Sequence, residues 1–184
     1  EVVPVVEDGN LPAKATAFEA FPIRATVFRE GHDCYAAEAV LLRPGGSIHS
    51  RALMRDIAPG LDRYEAWVMP DAVGQWSFRI DTWSDPYATW RQDASVKIGA
   101  GVDVELMLEE GALLMERAAR GEALNNPSQT QPTRSAIDTL LDTAKGLRDA
   151  SQTPQRRLSA GLSAPVRAVF RQFPLSDLYG STRT

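Results

Sequence analysis

A chain of 184 residues and 20.1 kDa, with 43% hydrophobic and 24% charged side chains, has the composition of a globular protein and excludes a disordered one. Its charge of −4 is uneven: residues 1–100 carry 10 basic and 14 acidic groups and residues 101–184 carry 10 of each, so the first half is a poor nucleic-acid binder. No apolar run reaches the roughly 18 to 20 residues of a membrane helix, and the lone Cys34 excludes a disulfide framework or a cysteine metal site and fits a reducing cytoplasm.

The chain opens at Glu1 without Met or a secretory leader and closes on DLYGSTRT, which reads as a cut loop. The expectation is an excised fragment holding one and a half domains.

Val2 to Val6 predicts an edge strand, where Pro4 need not donate a ladder bond. After the turn Asp8-Gly9-Asn10, Lys14 to Phe18 and Phe21 to Phe28 predict two strands. In the second, Phe21, Ile23, Ala25 and Val27 share a core face with Arg24 and Thr26 opposite. A polar turn, Arg29 to Asp33, precedes a strand alternating Tyr35, Ala37, Ala39 and Leu41, closed by Pro44-Gly45-Gly46. Ile48 to Ile57 reads as one weakly patterned strand with His49, Arg51 and Arg55 facing water. Arg63 to Met69 and Trp76 to Trp83 complete about seven short strands, the pattern of an immunoglobulin-type β-sandwich.

The period then lengthens through the hinge Gly99-Ala100-Gly101. Val104, Met107, Leu108, Gly111, Leu114, Met115 and Ala118 form one helical stripe, ended by Gly121. The polar, proline-bearing Asn125 to Thr133 predicts a loop. Further helices are predicted over Arg134 to Ala150, from Thr153-Pro154 through Ala160, and from Ala164-Pro165 onward. The fold class expected is α+β: a β-sandwich domain over residues 1–100 carrying an inserted helical bundle over residues 101–184.

No stretch builds a catalytic site. His32-Asp33 beside Cys34 invites a relay, but adjacent residues on an extended segment point apart, so a turn role is expected. Phosphate loop, zincin helix and nucleophile elbow are absent, and His32 and His49 have no spaced partners for a metal. Neither cofactor nor metal is expected. The tryptophans carry more information. By parity Trp83 projects with Arg79 and Asp81, and Trp67 with Arg63 and Glu65, so each is a candidate for stacking on sugar, packing on a neighbouring domain or covering the helices. Asp85 to Arg91, with Trp90, reads as the seam between the halves.

The segments PAKATAFEAFPIRATVFREGHD and DRYEAWVMPDAVGQWSFRIDTWSDPYATWRQDASVKIGAGVDVELMLEEGALLMERA resemble the N-terminal region of the bacterial alpha-glucan:maltose-1-phosphate maltosyltransferases, a branch of the α-amylase superfamily. FREGHD, TWSDPYATWR and VELMLEEG carry the resemblance most specifically. It implies a retaining transfer of maltosyl units from α-maltose 1-phosphate to α-glucan in a downstream (β/α)8 barrel, and a cytoplasmic homodimer in which this region packs on that barrel. It also implies a sandwich completed by a final segment beyond the chain. No catalytic residue carries over. His32, Asp33 and Asp85 are then structural turn candidates, and Trp67, Trp83, Trp90 and Arg91 interface or sugar-stacking candidates. Two other readings stand: an autonomous α-glucan-binding module using Trp67 and Trp83, and a protein-interaction module unrelated to sugars.

Overall fold

The computed structural model describes residues 1–28, 31–126 and 129–178. Outside this set lie Arg29 and Glu30 of the expected turn, Pro127 and Ser128 of the expected loop, and the tail from Tyr179. The strands are β1 (Val2–Val3), β2 (Phe21–Thr26), β3 (Tyr35–Leu42), β4 (Ile48–Leu53), β5 (Arg55–Ala58), β6 (Arg63–Val68) and β7 (Ser77–Ser84). The helices are α1 (Pro86–Gly99), α2 (Val104–Ala119), α3 (Arg134–Arg148), α4 (Pro154–Gly161) and α5 (Ala164–Gln172). The class is α+β, with sheet orders β1-β2-β6-β5 and β4-β3-β7.

Alternation sets which side chains enter the first core. In β2, Ile23 and Ala25 are buried and Arg24 is exposed; β6 pairs with it antiparallel, Ile23 opposite Ala66 and Arg24 opposite Glu65. Ala37, Ala39 and Leu41 of β3 enter the same core, and Phe78 and Ile80 of β7 pack against it. One apolar cluster is therefore shared by side chains of both sheets.

Two strand expectations are corrected. Lys14 to Phe18 forms no strand: Phe18 is 69% exposed, has φ 65° and donates its N–H to Pro70 O at 2.8 Å, so the segment has no buried face to hold it extended. Ile48 to Ile57 is two strands in different sheets, β4 beside β3 and β5 beside β6. The change of sheet occurs at Met54, which is 5% exposed in the core and donates its N–H to Ala37 O at 2.8 Å.

The helices form where caps and stripes coincide. Thr133 and Thr153 accept from Ala136 and Arg156 N–H at the starts of α3 and α4, and Pro154 occupies the first turn of α4. Gly121, at φ 64°, follows α2 and donates to Ala118 O at 3.0 Å, a left-handed stop that glycine adopts without steric cost. Helix α1 is the element the sequence reading missed, having taken its start for a seam. Asp85 accepts from Ala88 N–H at 2.9 Å and Pro86 follows it. Its buried Tyr87, Trp90, Ala94 and Ile98 are interrupted by polar residues, and the exposed Val96 blurs the stripe.

A second core gathers Tyr87, Trp90, Met107, Leu108, Met115, Leu140, Leu147, Val166 and Phe170 from α1, α2, α3 and α5. Tyr87 stacks on Phe170 at 4.0 Å between centroids and donates its hydroxyl to Gly161 O at 3.0 Å. By contacts, Glu1–Gly31 and Ala36–Thr82 make one compact unit; His32–Tyr35 and the chain from Trp83 onward make the other.

Candidate functional site

Of the sequence-predicted residues, Trp67 belongs to the first compact unit, and His32, Asp33, Trp83, Asp85, Trp90 and Arg91 to the second. On β6, Trp67 lies between buried Ala66 and Val68, so its side chain turns to the outer face of the four-stranded sheet, where it is 57% exposed. Its Nε1 donates to Glu65 Oε1 at 2.9 Å, and Glu65 Oε2 accepts from Arg24 Nε at 2.7 Å. The Arg24 bond, with a smaller contribution from Trp67, holds the Glu65 carboxyl below the usual carboxylate range, which keeps it an acceptor. Pro22 stands opposite Trp67, and Arg55 of β5 stands opposite Glu65 on its other side.

Trp83 and Trp90, the other two tryptophans named as interface or sugar-stacking candidates, are both buried. Trp83 is 7% exposed at the end of β7, and its Nε1 has no hydrogen-bond partner among the described residues. Trp90 is 6% exposed in the second core, where Nε1 donates to Met107 O at 2.7 Å. Arg91 is exposed on α1.

In the second unit, Asp85 caps α1 and its own N–H donates to Cys34 O at 3.0 Å. Cys34 N–H donates to Thr89 Oγ1 at 2.9 Å, and its Sγ to Gln92 Oε1 at 3.4 Å. Burial pushes the Cys34 thiol up, so this cysteine is not an activated nucleophile. His32 and Asp33 are exposed, and the Cys34 thiol donates to Gln92. Desolvation likewise raises the Asp85 carboxyl.

Asp33 and Asp93 line an open cleft of about 270 Å³ together with Thr89, Trp90, Glu110 and Asp177. Its one deeply buried acid, Asp177, is already committed, accepting from Arg117 Nη2 at 2.9 Å and Leu124 N–H at 2.8 Å. Among the described residues no group of three or more His, Cys, Asp or Glu side chains is placed to hold a metal ion, and no helix is long and apolar enough to cross a membrane.

His49 is half-buried. Its ring packs edge-on against Trp76 at 5.1 Å, with Nε2 3.2 Å from Met69 O and Nδ1 3.7 Å from Asp71 Oδ2. Arg43 grips Asp71 through two bonds of 2.7 and 2.9 Å and holds that carboxyl below its ordinary range. The cluster ties β4 to the turn before β7. Sequence reasoning also missed Arg157, 5% exposed, which donates to Leu147 O at 2.7 Å and to both Glu105 oxygens at 2.8 and 3.0 Å. A pair 52 residues apart leaves no local signal.

The arrangement therefore offers a presented indole on a sheet face, an acidic cleft, and ion pairs that join elements. The family model described as alpha-1,4-glucan:maltose-1-phosphate maltosyltransferase, domain N/S, matches residues 1–184. Among curated proteins, the chain is 46% identical over 182 residues to maltosyltransferase 2 of that name from Streptomyces coelicolor, covering 99% of this chain and 26% of the relative. It is 38% identical over 183 residues to the Arcanobacterium haemolyticum protein of that name, covering 100% of this chain and 25% of the relative. With the Mycolicibacterium smegmatis protein it shares 33% over 206 residues, 96% of this chain and 28% of the relative. The chain thus spans about a quarter of the length of these relatives. It belongs to the alpha-1,4-glucan:maltose-1-phosphate maltosyltransferase family, whose N/S domain it matches from end to end.

Proposed function

We propose that this chain is the non-catalytic N-terminal dimerisation and scaffold region of a cytoplasmic maltosyltransferase that extends α-glucans from α-maltose 1-phosphate. The observation that carries the reading is the end-to-end domain match to about a quarter of each relative. Chemistry then belongs to the remainder of the protein.

We further propose an immunoglobulin-like sandwich with an inserted helical bundle. Its support is the strand order: β1-β2-β6-β5 and β4-β3-β7 follow the connectivity of the first seven strands of such sandwiches. After α5 the chain returns to β7, where Asp177 bridges Ser84 antiparallel, with Ser84 N–H donating to Asp177 O at 2.9 Å. That return supports the reading in which a final sandwich segment lies downstream, before the barrel. Exposed Val96, Leu106 and Leu113 on α1 and α2 supply apolar surface for a homodimer or barrel contact to cover.

Phosphate release from maltose 1-phosphate with glycogen as acceptor tests the reading. The intact protein is expected to release phosphate and the 184-residue chain none; release by the chain alone overturns its non-catalytic role. Sedimentation of the intact protein as a monomer would remove the dimer.

A further inference from the structure

The polar run after α2 spends its side-chain amides on the backbone of the segment that follows α5. Gln129 donates through Nε2 to Pro174 O at 2.7 Å and accepts at Oε1 from Ser176 N–H at 3.0 Å. Asn126 donates to Ser176 O at 3.1 Å, and Asn125, held at φ 56°, donates to Leu178 O at 3.1 Å. Leu124 adds two backbone bonds of 2.8 Å, its N–H donating to Asp177 Oδ1 and its O accepting from Leu178 N–H. Apart from the bridge between Ser84 and Asp177, residues 174–178 have no neighbouring strand among the described residues. A primary amide offers a donor and an acceptor side by side, the pair that a strand edge offers. Gln129 thus stands where a strand partner would be and satisfies backbone groups that are partly shielded from water.

These bonds share their partners. Ser176 is held by both Asn126 and Gln129, while Asp177 joins Leu124, Ser84 and the Arg117 guanidinium. Bonds that share residues are made and lost together. Helices α2 and α3 each bury a stripe of side chains, whereas residues 174–178 bury one apolar side chain, Leu175. The segment therefore leaves its place at a lower cost than the helices come apart. We infer that Leu124, Asn125, Asn126 and Gln129 are a clasp over residues 174–178, a strap that opens and closes as one unit on folded helices, with Gln129 the residue that keeps it shut. Closed, the strap sets Asp177 beside Ser84 on the wall of the acidic cleft; open, it removes that wall.

Hydrogen exchange of the intact protein, resolved to single amides by mass spectrometry with gas-phase fragmentation, tests this. Ser176, Asp177 and Leu178 are expected to exchange at one shared rate, faster than the buried turns of α2 and α3. Gln129→Ala, which removes two bonds at a half-buried position, is expected to speed all three amides roughly tenfold and leave α2 and α3 at the parent rate. Asn126→Ala removes the bond to Ser176 O and should also speed all three together, by less. Gln131→Ala, whose amide bonds Gly121 O and not the strap, is expected to leave the three at the parent rate. Three amides that exchange at the helix rate in the parent overturn the separate strap. So does a Gln129→Ala protein in which Ser176 alone speeds up, or in which α2 and α3 speed up equally, since the first makes the bonds independent and the second makes the loss general.

Discussion

The indole of Trp90 rests directly on the backbone of Gly111: a methyl group added there would come within 2.3 Å of Cζ2. At the adjoining ring carbon, a methyl added to Gly161 would meet Cη2 at 2.6 Å. Trp90 is thus held between two helices that approach closely because neither carries a side chain at the contact.

Gly111→Ala is therefore expected to destabilise the helical core by roughly 1–3 kcal/mol, since close-packed interiors yield little to added volume. In a protein of this size that lowers the melting temperature by a few degrees per kcal/mol. Gly99→Ala serves as the comparison, because nothing lies within 4 Å of its added methyl. Thermal denaturation of the two variants should separate them clearly, and equal melting temperatures would contradict the packing argument.

Asp85 tests the start of α1. Desolvation raises its carboxyl pKa above the ordinary value of about 3.9, outweighing the lowering effect of the Ala88 bond. The folded state then binds the proton more tightly than the unfolded state, so this group's contribution is fully present at low pH and is lost as pH rises through the raised value. Asp85→Asn keeps an acceptor without the charge. It is expected to match or exceed the parent's stability at pH 7, the difference shrinking toward pH 4 in urea titrations. Asp85→Ala loses the cap and should cost about 1 kcal/mol.

Arg148 of α3 bonds both Glu109 and Glu116 of α2, its Nε and Nη2 meeting Glu109 at 2.8 and 2.7 Å. Those bonds hold both carboxyls below their ordinary range. Their contribution is present above about pH 4.3 and is lost as pH falls through the lowered folded values. The groups are solvent-screened, so Arg148→Met is expected to cost under about 1 kcal/mol at neutral pH. The cost should fade in acid and in high salt, as denaturation at two pH values and two salt concentrations would report.

Cys34 is expected to be slow toward alkylation. Its thiol is raised by burial and donates to Gln92 at 3.4 Å. Iodoacetamide should modify it well below the rate of free cysteine at pH 7.5, with the rate climbing at higher pH than for the free amino acid. Modification as fast as free cysteine would contradict the raised thiol.

Much of the architecture was legible because local chemistry and tertiary packing agree. Period-two alternation placed Ile23, Ala25, Ala37, Ala39 and Leu41 in a core they do occupy. Thr153-Pro154 and Gly121 marked helix ends where they occur, and Asp85-Pro86 carried the same start signal as Thr153-Pro154, unread because the stripe behind it is weak.

What the sequence by itself determined was direction: which side of a strand or helix each residue takes, and where an element can start or stop. Tertiary structure decided what covers that side. Trp67 and Trp83 have the same relation to their polar strand neighbours, yet one ring is open and the other buried, because alternation is a property of one strand and burial a property of whatever packs on it. The same holds for the change of sheet at Met54 and for Arg157 with Glu105. Both depend on residues far apart in the chain, whose meeting no local pattern encodes.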